Sequence, residues 1–174
     1  MTVLETERLV LRRLSPNDAE FILDLLNQPS FLRYIGDKGV RNTEEAINYI
    51  QTGPVASYEQ HGFGLWLVQL KESGAAIGIC GLVKRETLPD VDIGFAFLPE
   101  YWSRGYALES AEAVMKYGKE KFGLQRIVAI TSLENESSIK LLEKLGMKFE
   151  RLIKLGDDQH EVRLFGSEVS TTTR

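Results

Sequence analysis

A strand, a loop and a helix meet at residues 98–107, and the residues at this junction are suited to binding an anion. The sequence Arg-Gly-Tyr-Ala at residues 104–107 stands at the predicted start of the helix. The first turn of a helix leaves backbone N–H groups without partners, and these groups together with the helix dipole attract phosphate. Gly105 and Ala107 let a ligand approach the backbone closely, and Arg104 adds a positive charge. The same spacing is equally typical of an ordinary strand–loop–helix junction, so both interpretations stay open here.

A second group of polar residues stands at the start of the next short helix. Asn135 occupies a predicted N-cap position, and Ser138 follows three residues later. Capping of the helix would by itself explain both residues. The functional alternative is that both side chains also face a ligand site at the end of the preceding strand, where open α/β sheets place their ligands.

The elements that would position these residues form one predicted domain over residues 1–174. Alternating or continuous apolar patterns predict strands at residues 6–14, 64–70, 76–83, 91–98, 126–132, 148–155 and 159–165. Apolar spacing and capping residues predict helices at 16–28, from 42 or 43 to a break at Gly53-Pro54, and at 105–122 and 135–145. This order predicts an α/β fold with a mixed sheet and helices on both faces, in which the strands at 64–70, 76–83 and 91–98 form an antiparallel meander. We expect a turn at residues 156–158 and a frayed tail from Ser167.

Composition and charge exclude several classes of protein. The chain of 174 residues is 43% apolar and 26% charged, as expected for an ordered globular domain. A net charge of −4 disfavours bulk binding of nucleic acid, and no apolar run approaches the ~20 residues of a membrane span. The single Cys80 rules out an internal disulfide, and one cysteine with two histidines is too few for a recognisable zinc site. We therefore expect a cytoplasmic protein without a metal, with no nucleic-acid or membrane partner.

Three segments of the chain resemble the GNAT superfamily of acetyltransferases. They are residues 6–12 (Thr-Glu-Arg-Leu-Val-Leu-Arg), 100–109 (Glu-Tyr-Trp-Ser-Arg-Gly-Tyr-Ala-Leu-Glu) and 135–147. Each segment is moderately specific, and it is their order and separation on the matching pattern of elements that carry the resemblance, over about residues 5–165. The branch that the chain resembles most is the RimJ/RimL-type, which acetylates the N-termini of ribosomal proteins and, in relatives, small amines.

The resemblance implies a GNAT-like acyl-CoA N-acyltransferase fold, with a central, mostly antiparallel sheet and a splayed pair of central strands. It implies acetyl-CoA as co-substrate, with the pantetheine arm along Phe95, Ala96, Phe97 and Leu98. The pyrophosphate would bind the loop and the first helical turn at Ser103, Arg104, Gly105, Tyr106, Ala107 and Leu108. Asn135 and Ser138 would also contact the cofactor, Asn135 near the thioester. Relatives commonly have Gly at position 103, where this chain has Ser.

The catalytic residues implied by the resemblance are Ser138, Asp92 and Asn135. Many relatives use a Tyr as general acid where this chain has Leu142, and the Ser138 hydroxyl would instead protonate the departing thiolate. Asp92 replaces a Glu common on the splayed strand and is a candidate base, acting through water, or else a surface carboxylate at a strand edge. No covalent enzyme intermediate is needed, since the amine can attack the thioester directly, and Cys80 lies within an apolar strand.

The sequence therefore predicts an N-acetyltransferase that acts on a primary amine, either the N-terminal α-amine of a protein or a small molecule. A non-catalytic acetyl-CoA-binding module of the same fold is the alternative. An unrelated nucleotide-binding protein is disfavoured, because the chain lacks Gly-x-x-x-x-Gly-Lys-Ser/Thr and Gly-x-Gly-x-x-Gly. The acceptor is expected to bind against residues 28–62, and a homodimer is compatible with the sequence.

Overall fold

One eight-stranded sheet runs through the computed structural model, counted over the residues that it describes, 1–155 and 160–168. The strands in chain order are β1 (Thr2–Glu5), β2 (Leu9–Arg12), β3 (Leu65–Leu70), β4 (Ala76–Val83), β5 (Val91–Phe97), β6 (Arg126–Ser132), β7 (Lys148–Lys154) and β8 (Glu161–Glu168). Their order in the sheet is β1-β2-β3-β4-β5-β6-β8-β7. All neighbours are antiparallel except β5 and β6, which confirms the predicted mixed sheet and its meander of β3, β4 and β5.

The parallel pair β5–β6 is held together at one end only. Its register consists of Val91 opposite Ile127 and Asp92 opposite Val128, whereas the other strands pair along most of their length. Beyond Asp92 the two strands diverge, so a gap opens between them toward their carboxyl ends. This is the splayed pair that the resemblance implied, and it lies at the centre of the sheet.

Helices cover both faces of the sheet, as predicted. The α-helices in the described part of the chain are α1 (Ala19–Leu26), α2 (Pro29–Tyr34), α3 (Thr43–Ile50), α4 (Ala56–His61), α5 (Tyr106–Phe122) and α6 (Glu136–Lys144). One core contains buried residues of α1, α2 and α3 together with Leu67 of β3. The other core contains buried residues of α5 and α6 together with Trp66 and Val68. The alternation of Trp66, Leu67 and Val68 between the two cores follows from the period of two along a strand.

The N-terminal segment differs from the prediction of one strand over residues 6–14. It forms a hairpin of β1 and β2, whose turn is closed by Thr6, which donates its N–H to the Leu9 carbonyl at 2.9 Å and accepts the Leu9 N–H on Oγ1 at 3.1 Å. Four-residue strands carry too few alternations to be separated by pattern alone. This turn places Thr6 and Arg8 beside the start of α5, which becomes important at the site.

The helix boundaries predicted at two prolines differ from those of the structure. The expected break at Gly53-Pro54 is wrong, because α3 continues through a π-helical segment, Gln51–Val55, into α4. The wider turn of a π-helix accommodates Pro54 despite its missing N–H group. Similarly, Pro29 does more than end the first helix, which stops at Leu26: it occupies the first turn of α2, a helix that the pattern did not predict.

The C-terminal end differs slightly from its prediction. Ser167 still lies in β8, which ends at Glu168, so the strand extends beyond the predicted residue 165. The predicted turn at 156–158 and residues 169–174 of the predicted frayed tail lie outside the described residues. No helix in the described part of the chain is long and apolar enough to span a bilayer.

Candidate active site

A cleft of about 660 Å³ occupies the gap between the diverging strands β5 and β6. On one face of the sheet its walls are residues of α1 and α2 and the two residues that flank α2: Leu25, Gln28, Ser30, Phe31, Tyr34 and Ile35. On the other face they belong to the N-terminal ends of α5 and α6. Because α1 and α5 pack on opposite faces of the sheet, the cleft passes through the sheet and gives two sides from which ligands can meet.

The turn before α5 has a backbone conformation suited to binding an anion. Ser103 and Gly105 adopt positive φ angles of 63° and 84°. Gly105 is the N-cap of α5, and no side chain in the described part of the chain caps the helix with a hydrogen bond. The N–H groups of its first turn therefore lie at the cleft without a side-chain partner there. Such N–H groups, together with the helix dipole, bind phosphate.

The φ angle at position 103 explains why relatives commonly have Gly there. A left-handed conformation costs a non-glycine residue of order 1–3 kcal/mol, which Ser103 must bear here. The loop is also held from the strand side, because Trp102 Nε1 donates a hydrogen bond to the Phe97 carbonyl at 2.9 Å. The turn, with Gly105 and Ala107 lining the cleft, is therefore suited to binding an anion.

The N-terminal hairpin braces this turn through contacts that the sequence analysis did not predict. Glu109, in the first turn of α5, accepts hydrogen bonds from Thr6 Oγ1 at 2.5 Å, from the Arg8 N–H at 2.9 Å and from Arg8 Nε at 2.7 Å. Arg8 Nη1 donates to the Arg104 carbonyl at 3.0 Å, and its guanidinium lies 4.4 Å from the centroid of the Tyr106 ring. Thr6 and Arg8 are in a segment that carried the resemblance, but a separation of about 100 residues leaves no periodic pattern that could pair them with Glu109.

Asn135 and Ser138 lie together at the opposite wall of the cleft, as the functional interpretation predicted. Asn135 Oδ1 accepts the Ser138 N–H at 3.3 Å, so Asn135 is also the helix cap that the alternative interpretation required. The Ser138 hydroxyl makes no hydrogen bond to any residue that the structure describes, and it is only partly buried. The capping interpretation is therefore confirmed, and the functional interpretation stays a prediction about a hydroxyl at the wall of the cleft.

Asp92 lies at the point where β5 and β6 part, and the surface alternative for this residue is wrong, since it is only 1% exposed. Its Oδ2 accepts a hydrogen bond from Arg85 Nε at 3.0 Å, and its Oδ1 is buried without a hydrogen-bond partner among the described residues. Burial raises the pKa of the Asp92 carboxyl above its usual 3.8, and the charge of Arg85 offsets only part of this effect.

The cleft brings together ten of the predicted site residues: Phe95, Ala96, Phe97, Ser103, Gly105, Tyr106, Ala107, Leu108, Asn135 and Ser138. Three others do not line it. Leu98 is buried in the core that contains α1. Arg104 is exposed, and its carbonyl accepts the hydrogen bond from Arg8. Asp92 lies in the last residue pair that joins β5 to β6, before the gap begins.

Two further features bear on catalysis, the single cysteine as a nucleophile and the side chains that could bind a metal ion. Cys80 is fully buried, and burial raises the pKa of its thiol to about 12, so it lacks the thiolate that a nucleophile needs, as predicted. Within residues 1–155 and 160–168, no three His, Cys, Asp or Glu side chains are grouped closely enough to hold a metal ion.

The sequence and the structure both match known acetyltransferases. A family model described as an acetyltransferase (GNAT) domain matches residues 8–148. The chain is 33% identical to the uncharacterized N-acetyltransferase YoaA of Bacillus subtilis (strain 168), over 87% of this chain and 86% of that protein. It is also similar in structure to an acetyltransferase of the GNAT family from Bacillus anthracis, with 26% identity and a TM-score of 0.79 over 97% of this chain and 98% of that one.

A further structural likeness concerns the fold alone, because the sequence identity is only 16%. It is to RimL, a ribosomal L7/L12 alpha-N-protein acetyltransferase solved in complex with coenzyme A. The TM-score is 0.82, over 97% of this chain and 98% of the RimL chain.

Proposed function

We propose that this chain, which belongs to the GNAT acetyltransferase family, transfers an acetyl group directly to a primary amine. The family membership makes the chain an acetyl-CoA-dependent N-acetyltransferase, and the proposal concerns the acceptor and the direct transfer. The observation that carries the proposal is the cleft that passes through the sheet between β5 and β6. The cofactor enters from the side of α5 and α6, where the N–H groups lie, and the amine enters from the side of α1 and α2. The two reactants then meet in the gap, which favours a single direct transfer.

Acetyl-CoA, when bound, supplies an activated thioester, and the chain supplies its binding groups. The turn at Ser103 and Gly105 holds the diphosphate by backbone N–H groups, and β5 holds the pantetheine arm. Leu98 donates its N–H to Ile77 of β4 at 3.0 Å, so by the alternation of an antiparallel ladder the N–H of Phe95 faces away from β4 and into the gap. The Phe95 N–H is the group that we assign to polarising the thioester carbonyl.

Proton transfer falls to two side chains. The amine must lose its proton before it attacks, and the carboxylate of Asp92, reached through water, accepts it. The Ser138 hydroxyl, which has no other hydrogen-bond partner among the described residues, gives its proton to the departing thiolate. It takes a proton back from water in the cleft, which receives the proton that the attacking nitrogen loses, so the serine is restored. Asn135 holds Ser138 in place through its backbone N–H.

The acceptor is either a protein N-terminal α-amine or a small-molecule amine. An α-amine has a pKa of about 8 and a lysine-type amine a pKa of about 10.4, so the α-amine needs less help from a base. Charges of both signs lie near the cleft, since Arg33 of α2 is 3.7 Å from Glu134, a cleft residue that precedes α6. These charges admit either class of acceptor.

The test is the release of coenzyme A thiol from acetyl-CoA in the presence of a panel of small amines and N-terminal peptides. We expect release that depends on both the protein and an amine, with the acetylated amine as the second product. Binding of acetyl-CoA without release above the amine-free background, for every member of a broad panel, would favour a non-catalytic acetyl-CoA-binding module instead.

A further inference from the structure

Arg8 stands out among the exposed cations because its contacts converge on the turn that precedes α5. Two of its three guanidinium nitrogens are used by the protein, Nε on Glu109 and Nη1 on the Arg104 carbonyl. The third nitrogen, Nη2, has no hydrogen-bond partner within the described part of the chain. It would lie 3.2 Å from a Cβ atom placed on Gly105, and so it sits directly against the backbone of the turn.

The contacts of Arg8 fix the direction in which Nη2 points. Glu109 holds one edge of the guanidinium, and the ring of Tyr106 lies beneath it at 4.4 Å. An arginine held this way is pre-organised, so it loses little side-chain freedom when it binds an anion. The side chain is nevertheless 43% exposed, so a ligand on the turn can reach it.

The charge balance around the turn also favours this role. Glu109 forms an ion pair with Arg8 on the side of the hairpin. The dipole of α5 also stabilises the Glu109 carboxylate, because Glu109 lies in the first turn of that helix. Nη2 lies against Gly105, the N-cap residue of α5, and the N–H groups of the first turn of α5 follow that residue directly. A diphosphate on this turn would meet both sets of donors.

We propose that Arg8, contributed by the N-terminal hairpin, is a cofactor-binding residue that anchors the diphosphate of acetyl-CoA through Nη2 while bracing the turn through Nε and Nη1. The proposal rests on the cofactor site proposed above. It assigns a function to the segment at residues 6–12, and it makes the hairpin of β1 and β2 part of the active site rather than only an edge of the sheet.

The test compares acetyl-CoA with acetyl-pantetheine, which carries the same thioester but no diphosphate. For Arg8→Ala we expect kcat/KM with acetyl-CoA to fall about 10- to 100-fold, the size of a lost hydrogen bond to a charged group, and kcat/KM with acetyl-pantetheine to change less than about twofold. The affinity for coenzyme A should fall in parallel. Equal losses with both donors, or no loss with either, would overturn the proposal.

Lys71→Ala is the matched control. Lys71 is 41% exposed, its backbone N–H bonds the Arg8 carbonyl at 2.8 Å, and its Nζ lies 3.5 Å from Glu5. Removing this neighbouring cation should leave the preference for acetyl-CoA unchanged, and a loss as large as that of Arg8→Ala would contradict a specific contact. Should Arg8→Ala not fold, Arg8→Lys is measured instead, with a smaller but equally selective loss expected, because an ammonium lacks the fork of the guanidinium.

The same measurements separate this proposal from the proposed function. Turnover of acetyl-CoA by the parent protein is the premise, and its absence would remove the proposed function itself. Turnover by the parent together with an unselective Arg8→Ala variant would instead leave the function standing and remove only the role of Arg8.

Discussion

Ser138 lies at the wall of the cleft, where its backbone N–H donates to Asn135 Oδ1 at the start of α6. Its hydroxyl has no hydrogen-bond partner among the described residues, and we propose that it is the proton donor. Capping fixes the position of the residue, and the free hydroxyl is then available to the thiolate. Because the cap already fixes the backbone of Ser138, the position of the hydroxyl is set without further contacts to its side chain.

Ser138→Ala should lower kcat about 100-fold or more, the usual contribution of a general acid, while the affinity for acetyl-CoA changes less than about twofold. The cap is retained in this variant, because the Asn135 side chain accepts a backbone N–H. Single-turnover rates and calorimetry would measure the two quantities, and Ser138→Thr, which keeps a hydroxyl, should recover part of the rate. Unchanged chemistry in Ser138→Ala would reduce Ser138 to a helix-start residue.

Asp92 is predicted to act as the base, and its environment gives this role a pH dependence. Burial raises the pKa of Asp92 above 3.8, so this carboxylate takes up a proton at a higher pH than an exposed aspartate does. The kcat/KM of the parent should therefore fall as the pH is lowered and the base becomes protonated. Asp92→Asn should lose most rate near pH 6 and be partly rescued near pH 9, where solvent supplies more neutral amine.

The rescue of Asp92→Asn should be stronger for an α-amine than for an alkyl amine, whose pKa is about two units higher. Profiles of kcat/KM from pH 6 to 9 for parent and variant would measure this. Parallel profiles would show that Asp92 is structural, held by Arg85, and that solvent removes the proton of the amine.

Among the elements, the start of α1 is stabilised by a hydrogen-bond network around the buried carboxylate of Asp18. Asp18 accepts two hydrogen bonds from Arg12 at 2.8 and 3.0 Å and one from the Ser15 N–H at 2.9 Å. Burial alone raises the pKa of Asp18, but the hydrogen bonds from Arg12 and Ser15 outweigh it and hold that pKa below 3.8. The network ties β2 to the helix layer that forms the acceptor side of the cleft.

Asp18→Asn should lower the free energy of unfolding at pH 7 by about 1–3 kcal/mol, as expected for hydrogen bonds to a charged group. The folded-state pKa of Asp18 is depressed, so its contribution is complete above the unfolded pKa of 3.8 and is lost as the pH falls through the lower folded value. The difference between parent and variant in denaturant unfolding should therefore shrink below about pH 4.

The control for Asp18→Asn is Asp24→Asn, on the exposed side of the same helix, where the Asp24 carboxylate accepts a hydrogen bond from Gln28 Nε2 at 2.9 Å. This change should cost little at any pH. A pH-independent loss in Asp18→Asn would indicate that packing of the side chain, rather than its charge, stabilises the start of α1.

The elements were predicted well where the sequence carries a long periodic pattern, as in α5 and the meander of β3 to β5. They were missed where a proline changes its usual meaning, at Pro29 and Pro54, because a proline can begin a helix or sit in a π-helical turn as well as end one. α2 was missed for this reason, although it forms part of the acceptor wall.

For the molecule as a whole, the site depends on one feature of the sheet, the parallel pair that separates after two residue pairs. The cleft residues on β5 and at the starts of α5 and α6 were predictable, because the resemblance maps residue by residue onto local motifs. The contact of Arg8 and Glu109 and the burial of Asp92 were not, since both arise from packing between segments distant in the chain. Long-range contacts of this kind leave no trace in local spacing.

Calorimetric titration of three proteins measures whether acetyl-CoA binds on the turn at Gly105. The parent should bind acetyl-CoA with micromolar affinity, about −8 kcal/mol. Gly105→Asn and Gly105→Asp share the strain of a side chain at a φ of 84°, and they are nearly equal in size but differ in charge. We predict that Gly105→Asn retains measurable binding and that Gly105→Asp loses it, because its carboxylate lies where the diphosphate must sit. Equal affinity of the Asp and Asn variants would place the cofactor elsewhere and contradict the account.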